Sequence, residues 1–368
     1  MAINLNKGAV SRAAELMTAA RRIVVLTHMA PDGDAMGSAL AMGHFLQNTE
    51  FRIQNTDQIS PYSDSETVRT LSAERSVHII VPNAFPAFYR WMPGADQIHV
   101  YENEAEVCNA LLAEADLFVC TDFNDPKRIN PVGDKMMANA CPKIIIDHHP
   151  CPEPFADVSF SHPESPSASE IVYCLLSTLN APLSTDIATC IYTGMMTDTG
   201  NFSFNSNYPD MYEIVAELVR AGVDKDAIYN AVFNQYSADR VRLMGYALYR
   251  KMRIYHEHHV AVITLSADEL DRYHYQVGDT EGLVNMPLQI ADVYYSVFMR
   301  EERAKPGTPH SRIRISFRSQ GDRPVNQFAH DVFRGGGHPN ASGGEVFGTI
   351  EQALRRFMST YRKYLKKD

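Results

Sequence analysis

The chain has 368 residues, of which 45% are hydrophobic, and its formal net charge is −10. This length predicts two or three domains, and the hydrophobic content is ordinary for a globular protein with full cores. The negative charge argues against binding of long duplex nucleic acid, which needs a basic face, but it permits a small anionic substrate. Because no stretch approaches 18 uninterrupted apolar residues, we expect no membrane partner.

The amino terminus and the cysteines indicate the compartment. Residues 1–7 lack the basic and then apolar pattern of a signal peptide. The six cysteines include no Cys-x-x-Cys pair, and most lie in apolar segments, which is typical of reduced core residues. Both observations predict a cytoplasmic protein.

Strand-like and helical segments alternate in the first half of the chain, which predicts an α/β fold with a parallel sheet covered by helices. In chain order we expect helices at 8–20, 35–47, 102–114, 131–138, 167–179 and 185–196, and strands at 23–27, 51–54, 77–81, 117–121 and 143–146. Residues 208–250 have an almost continuous helical pattern. A smaller α+β domain follows, with strands at 252–256, 259–265, 293–300 and 311–317, a helical region at 279–291, and a last strand and helix.

Several of these elements end in side chains that bind metals. They are His28, Asp32 and Asp34 after the first strand, Asp122 after strand 117–121, Asp147, His148 and His149 after strand 143–146, and Asp198 after helix 185–196. Open α/β sheets bind their ligands at the carboxyl ends of strands. Each group alone is equally well explained as a helix cap or a turn. Together, and in this order, they favour a metal cluster.

The residue types indicate which metals. Carboxylates are hard oxygen donors, and imidazole favours Mn²⁺, Fe²⁺ or Co²⁺ over Mg²⁺. The aspartates Asp32, Asp34, Asp122 and Asp198 balance the charge of two divalent ions, which can share a bridging hydroxide and clamp a phosphoryl group. Arg128 also follows the Asp122 strand, and it either pairs with a carboxylate near the metals or forms a structural ion pair.

In order and approximate spacing, these motifs resemble the four motifs of the DHH phosphoesterases. The run from Gly335 to Gly343, Gly-Gly-Gly-His-x-Asn-Ala-x-Gly, resembles the signature of the associated carboxyl-terminal domain, and Arg318 matches an arginine of that domain's pattern. The resemblance covers about residues 8–350. Within the family, the chain is most similar to the branch that degrades very short RNA and removes the 3′-phosphate from phosphoadenosine phosphate.

The resemblance implies a role for each motif residue. One ion would be bound by His28, Asp32 and Asp122, and the other by Asp34, Asp122, His148 and Asp198. His149 would face the substrate phosphate and help to protonate the leaving oxygen, while Asp147 orients the histidines. The other phosphate or the base of the nucleotide would be bound by Arg318, His338 and the backbone of Gly335, Gly336 and Gly337.

The resemblance also implies an architecture and an activity. A catalytic domain at 1–207 and a helical linker at 208–250 would precede a substrate-binding domain at 251–368, across a cleft. The substrate would be a short oligonucleotide or nucleotide, the cofactors two divalent ions, Mn²⁺ with Mg²⁺ or Co²⁺ as alternatives, and the assembly a homodimer. The alternatives are hydrolysis of cyclic di-AMP or linear di-adenylate, cleavage of polyphosphate or pyrophosphate, and non-catalytic nucleotide sensing.

Overall fold

A computed structural model describes residues 3–48, 75–304 and 310–365, together with the backbone of 52–53 and 69–70. The chain divides into two compact units, Met1–Gln235 and Tyr236–Asp368. The boundary falls within the range 208–250 that the sequence predicts as a linker, so the helices of that range are shared between the units. Within the described residues, no helix is both long and apolar enough to cross a membrane.

The first unit contains a six-stranded parallel sheet, as the sequence predicts. The strands in chain order are β1 (Arg22–Leu26), β2 (Arg52–Ile53), β3 (Arg69–Thr70), β4 (Ser76–Val81), β5 (His99–Val100), β6 (Leu117–Thr121), β7 (Lys143–Asp147) and β8 (Val158–Ser161). Their order in the sheet is β5-β4-β1-β6-β7-β8, while β2 and β3 pair with each other. Residues 51 and 54 of the predicted strand 51–54 lie outside the described residues. The sequence analysis did not predict β3, β5 or β8.

Helices cover both faces of this sheet. They are α1 (Lys7–Ala19), α2 (Gly33–Gln47), α3 (Ala105–Glu114), α4 (Val132–Ala138), α5 (Ala168–Thr178), α6 (Thr185–Asp198), α7 (Pro209–Arg220) and α8 (Lys225–Phe233). Side chains alternate along a strand, so Ile23 and Val25 of β1 join the core with α1, α2, α5 and α6. Val24 and Leu26 join the opposite core with α3 and α4. Burial on both faces explains the continuous apolar runs.

Two glycines permit α2 and α6 to pack closely beside the predicted metal-ligand side chains. A Cβ atom on Gly37 would lie 2.5 Å from the carbonyl oxygen of Cys190. A Cβ atom on Gly194 would lie 1.9 Å from Ser169 Oγ and 2.8 Å from Asp34 Oδ1. Side chains at these positions would therefore push α6 away from Asp34.

The second unit is the predicted smaller α+β domain. In chain order its elements are α9 (Ala238–Tyr246), β9 (Arg253–Tyr255), β10 (Val260–Leu265), α10 (Ala267–Arg272), β11 (Tyr295–Glu302), β12 (Arg312–Ser319), α11 (Asn326–Phe333), β13 (Gly336–His338), β14 (Ala341–Phe347) and α12 (Ile350–Thr360). The sheet order is β13-β14-β12-β11-β10-β9. Among the described strands of this unit, β10 and β11 form the only parallel pair. Helices α11 and α12 pack against it through Phe328 and Phe357, which contact Phe317.

The glycine-rich segment corrects one expectation. The sequence analysis expects the Gly335–Gly337 backbone to approach the nucleotide and predicts no strand at these residues. Instead, Gly336 and His338 belong to β13 and pair with Gly343 and Ala341 of β14. The reason is steric, because a Cβ atom on Gly335 would lie 1.7 Å from the carbonyl oxygen of Gly343. The glycines thus let two strands approach closely.

Candidate metal centre

The sheet brings the predicted ligand side chains to one edge. Strands β1, β6 and β7 are neighbours and parallel, so the residues after their carboxyl ends lie side by side. The amino-terminal end of α2 and the carboxyl-terminal end of α6 reach the same edge. The six predicted ligands that meet there are His28, Asp32, Asp34, Asp122, His148 and Asp198.

Asp122 lies at the centre of this group. Its carboxylate is almost fully buried, with Oδ2 3.2 Å from His28 Nε2 and Oδ1 3.3 Å from His148 Nε2. Oδ1 has no hydrogen-bond partner with correct geometry among the described residues. A buried carboxylate oxygen without a partner is costly unless a cation binds it. This oxygen therefore fits a metal ligand.

One potential site combines His28, Asp32 and Asp122, whose ligand atoms lie within 4.8 Å of one another. His28 Nδ1 lies 3.0 Å from the carbonyl oxygen of Met29. Donation to that oxygen fixes the tautomer in which Nε2 is free to bind a metal. Asp32 is placed both to cap a helix and to bind a metal, the two interpretations that the sequence permits. Its Oδ1 caps α2 by accepting from the Asp34 and Ala35 amides at 3.1 Å. Its Oδ2 faces His28 Nε2 at 3.8 Å.

A second potential site combines Asp34, His148 and Asp198, also within 4.8 Å. His148 Nε2 lies 3.8 Å from Asp34 Oδ2 and 3.4 Å from Asp198 Oδ2. On the other side of the ring, His148 Nδ1 lies 3.2 Å from the carbonyl oxygen of Ser165. The ring is therefore oriented like that of His28, with Nε2 toward the carboxylates.

The amino-terminal end of α5 holds Asp34, which the sequence analysis did not predict. The amides of Ala168 and Ser169 donate to Asp34 Oδ2 and Oδ1 at 2.6 and 2.9 Å. Helix amino termini attract anions, so this contact fixes the carboxylate. The available sequence signal was the pattern Ser167-x-x-Glu170, a helix start.

A buried carboxylate organises the same segment. Glu170 accepts hydrogen bonds from the hydroxyls of Ser165 and Tyr208, each at 2.8 Å. Ser165 in turn supplies the carbonyl oxygen that contacts His148. Residues 165–170 thus support ligands of the second site from two directions.

Asp147 and His149 form a separate pair beside Asp122. Asp147 Oδ1 accepts from His149 Nδ1 at 2.8 Å, and Oδ2 accepts from the His149 amide at 3.0 Å. The ring orientation of His149 is therefore fixed by Asp147. Its Nδ1 also lies 3.6 Å from Asp122 Oδ1.

The electrostatics of this edge favour cations. Burial, followed by the charges of Asp122 and Asp198, raises the pKa of Asp34 well above its ordinary value. Burial and then Asp122 raise the pKa of Asp147 to about 7. Burial also acts to raise the pKa of Asp122, but His148 and His28 outweigh it and hold that pKa well below the usual range. The carboxylates therefore repel one another, and divalent cations would relieve this repulsion.

The predicted phosphate-binding residues share one face of the second unit's sheet. Arg318 of β12 pairs with Ala341 of β14, which pairs with His338 of β13. Directly opposed residues point to the same face, so Arg318 and His338 are two strands apart on that face, about 10 Å by strand spacing. Arg318 Nη1 donates to the Phe317 carbonyl oxygen at 3.0 Å.

Sequence comparison identifies the family. The family model named DHH family, N-terminal domain, matches residues 22–195, which include seven of the eight predicted metal-centre residues; Asp198 lies just beyond the match. The chain belongs to the DHH family, and the resemblance of its motifs is confirmed.

Three relatives show how far the similarity extends. The bifunctional oligoribonuclease and PAP phosphatase NrnA of Thermus thermophilus is 25% identical over 344 residues, covering 93% of this chain and 90% of its own. The crystal structure of an exopolyphosphatase-related protein from Bacteroides fragilis is 40% identical, with a TM-score of 0.84, covering 99% of this chain and 98% of its own. RecJ of Thermus thermophilus, solved with Mn²⁺, shares the fold at 15% identity and a TM-score of 0.51, covering 99% of this chain and 55% of its own.

Proposed function

We propose that this protein hydrolyses very short oligoribonucleotides, the 3′-phosphate of phosphoadenosine phosphate, or both. The coarser class, a hydrolase of phosphate esters, follows from the family and from the names of the curated relatives. The single observation that carries the proposal is the position of Asp122. Its buried carboxylate lies between two groups of ligand side chains and has an oxygen without a hydrogen-bond partner among the described residues.

The donor set supports two divalent ions, most simply Mn²⁺, with Mg²⁺ or Co²⁺ as alternatives. In this proposal His28, Asp32 and Asp122 bind one ion, and Asp34, Asp122, His148 and Asp198 bind the other. When bound, such a pair supplies a hydroxide nucleophile at neutral pH and neutralises charge on the phosphoryl group.

Residues beside the metal centre handle the proton and the substrate. Asp147 holds the His149 ring through Nδ1, so the opposite nitrogen can deliver a proton to the leaving oxygen. The carboxylate of Asp147 stabilises the protonated imidazole that this step requires. Both roles depend on the 2.8 Å contact between the two side chains.

The second unit is proposed to bind the other end of the nucleotide. Arg318 and His338, on one sheet face, bind its terminal phosphate, and the Gly335, Gly336 and Gly337 backbone permits close approach. An acidic protein can then act on RNA, because it contacts few phosphates.

Polyphosphate cleavage is the second candidate. The observation in its favour is the 40% identity to the exopolyphosphatase-related protein of Bacteroides fragilis. Such an activity would use the same metal centre, but it would need no recognition of a nucleoside.

A substrate panel with Mn²⁺ separates these candidates. We expect hydrolysis of a diribonucleotide or phosphoadenosine phosphate to exceed that of cyclic di-AMP and polyphosphate. Asp122→Ala should abolish turnover, because it removes the carboxylate shared by both sites. Asp186→Ala is the control, since this aspartate lies exposed at the other end of α6. Undiminished turnover by the Asp122 variant would refute the proposal.

A further inference from the structure

Arg128 is a cation next to the metal centre that no role yet explains. It lies in the short 3₁₀ helix Pro126–Ile129, six residues after Asp122. Its carbonyl oxygen accepts a hydrogen bond from the amide of Met29 at 3.0 Å. The backbone of Arg128 is thus bound to the loop that carries His28.

Arg128 lies at the same edge of the sheet, because it follows the carboxyl end of β6 and its backbone is bound to the loop that carries His28. The residue is half-buried. A cation at this position opposes the binding of other cations, so it has no evident benefit for metal binding.

Ion pairing does not explain Arg128. Among the described residues, no carboxylate lies within 4.0 Å of its guanidinium, whereas Arg300, Arg303 and Arg312 each have such a partner. Both interpretations that the sequence permits, a pair with a carboxylate near the metals and a structural ion pair, are thus absent from the described part of the chain. Within the described part of the chain the five N–H donors of Arg128 make no hydrogen bond, so they can bind an anion such as phosphate.

We propose that Arg128 binds the phosphoryl group that is cleaved. The inference rests on the proposed function and extends it by a residue of the chain itself. Once two divalent ions balance the four aspartates, Arg128 gives the site a net attraction for an anion. Its fork of N–H donors matches two phosphoryl oxygens, whose charge it stabilises during displacement.

The test uses opposite effects on two ligands. In Arg128→Ala, we expect Mn²⁺ to bind about 3- to 10-fold more tightly, because a neighbouring positive charge is lost. Orthophosphate, titrated in the presence of Mn²⁺, should bind at least about 10-fold more weakly, and kcat/KM should fall about 10²-fold. Arg128→Lys should recover part of the phosphate affinity, because it keeps the charge without the fork.

Lys127→Ala is the matched control, since it removes an exposed neighbouring charge and should change neither affinity. If Arg128→Ala weakens Mn²⁺ and phosphate together, or leaves phosphate binding equal to that of the Lys127 variant, the inference is wrong. Because phosphate binding requires no turnover, these results stay distinguishable from a failure of the proposed function. A wild-type protein that binds phosphate through Arg128 but cleaves no ester would refute only the proposed function.

Discussion

Asp122 has a left-handed backbone conformation, with φ at 61°. For a residue other than glycine this conformation costs about 1–3 kcal/mol and persists only where the surroundings enforce it. Here the carboxylate that results is buried between His28 and His148. The fold therefore accepts strain to place one carboxylate between two groups of potential metal ligands.

Two substitutions at this position separate strain from metal binding. Asp122→Gly and Asp122→Ala should both lose Mn²⁺ affinity, because each removes the carboxylate. Without metal, the glycine variant should be more stable than the alanine variant by about 1 kcal/mol, since only glycine adopts this φ without steric cost. Thermal unfolding in the presence of a chelator measures the difference. Equal stability of the two variants would show that the strain is not real.

The convergence of the proposed ligand residues was predictable from the sequence, but the residues that support them were not. His28, Asp122 and His148 follow apolar runs, and neighbouring parallel strands bring such positions together. The contact of Asp34 with the Ala168 and Ser169 amides joins residues more than 130 positions apart. It depends on how α2 and α5 pack, which no local pattern specifies.

Helix α5 and the residues before it contact two side chains of the potential second site, Asp34 and His148. The amides of its first turn donate to Asp34. Ser165, which precedes the helix, contacts His148 through its carbonyl oxygen. Glu170, in the first turn of α5, accepts a hydrogen bond from the Ser165 hydroxyl and so links the helix to the segment before it. It also accepts one from the hydroxyl of Tyr208, the residue just before α7.

Weakening this support should weaken metal binding. Glu170→Gln and Tyr208→Phe should each lower Mn²⁺ affinity by about 10-fold, because outer partners orient the ligands. Calorimetric titration measures this affinity. Glu164→Gln is the control, since Glu164 lies in the same segment but is exposed and pairs with His162. A lower unfolding temperature with unchanged Mn²⁺ affinity would reduce Glu170 to a purely structural role.

Prediction of elements succeeded where a long apolar pattern determines them. Strands β1, β6 and β7 are buried on both faces, so their sequences alone predict them within one or two residues. Strand β8 has only four residues with alternate burial, which gives a weak signal. The pair β13–β14 is rich in glycine, which has a low strand propensity, and its pairing with β12 decides its conformation.

For the whole molecule, the net charge of −10 must be reconciled with an anionic substrate. In the proposed function, the acidic side chains at one edge of the first unit would bind anions once divalent cations occupy them. We propose that Arg128 and Arg318 each supply positive charge toward a phosphate of the substrate. The second unit also keeps its own core, in which Phe317, Phe328 and Phe357 are buried.

The central claim is that Asp122 and five side chains around it bind two divalent cations. Anomalous diffraction at the manganese edge, from crystals grown with Mn²⁺, tests it most directly. We expect two peaks that share the Asp122 carboxylate, one beside His28 and Asp32 and the other beside Asp34, His148 and Asp198. A diffraction experiment that shows a single peak remote from Asp122, or no peak at saturating Mn²⁺, would contradict the account.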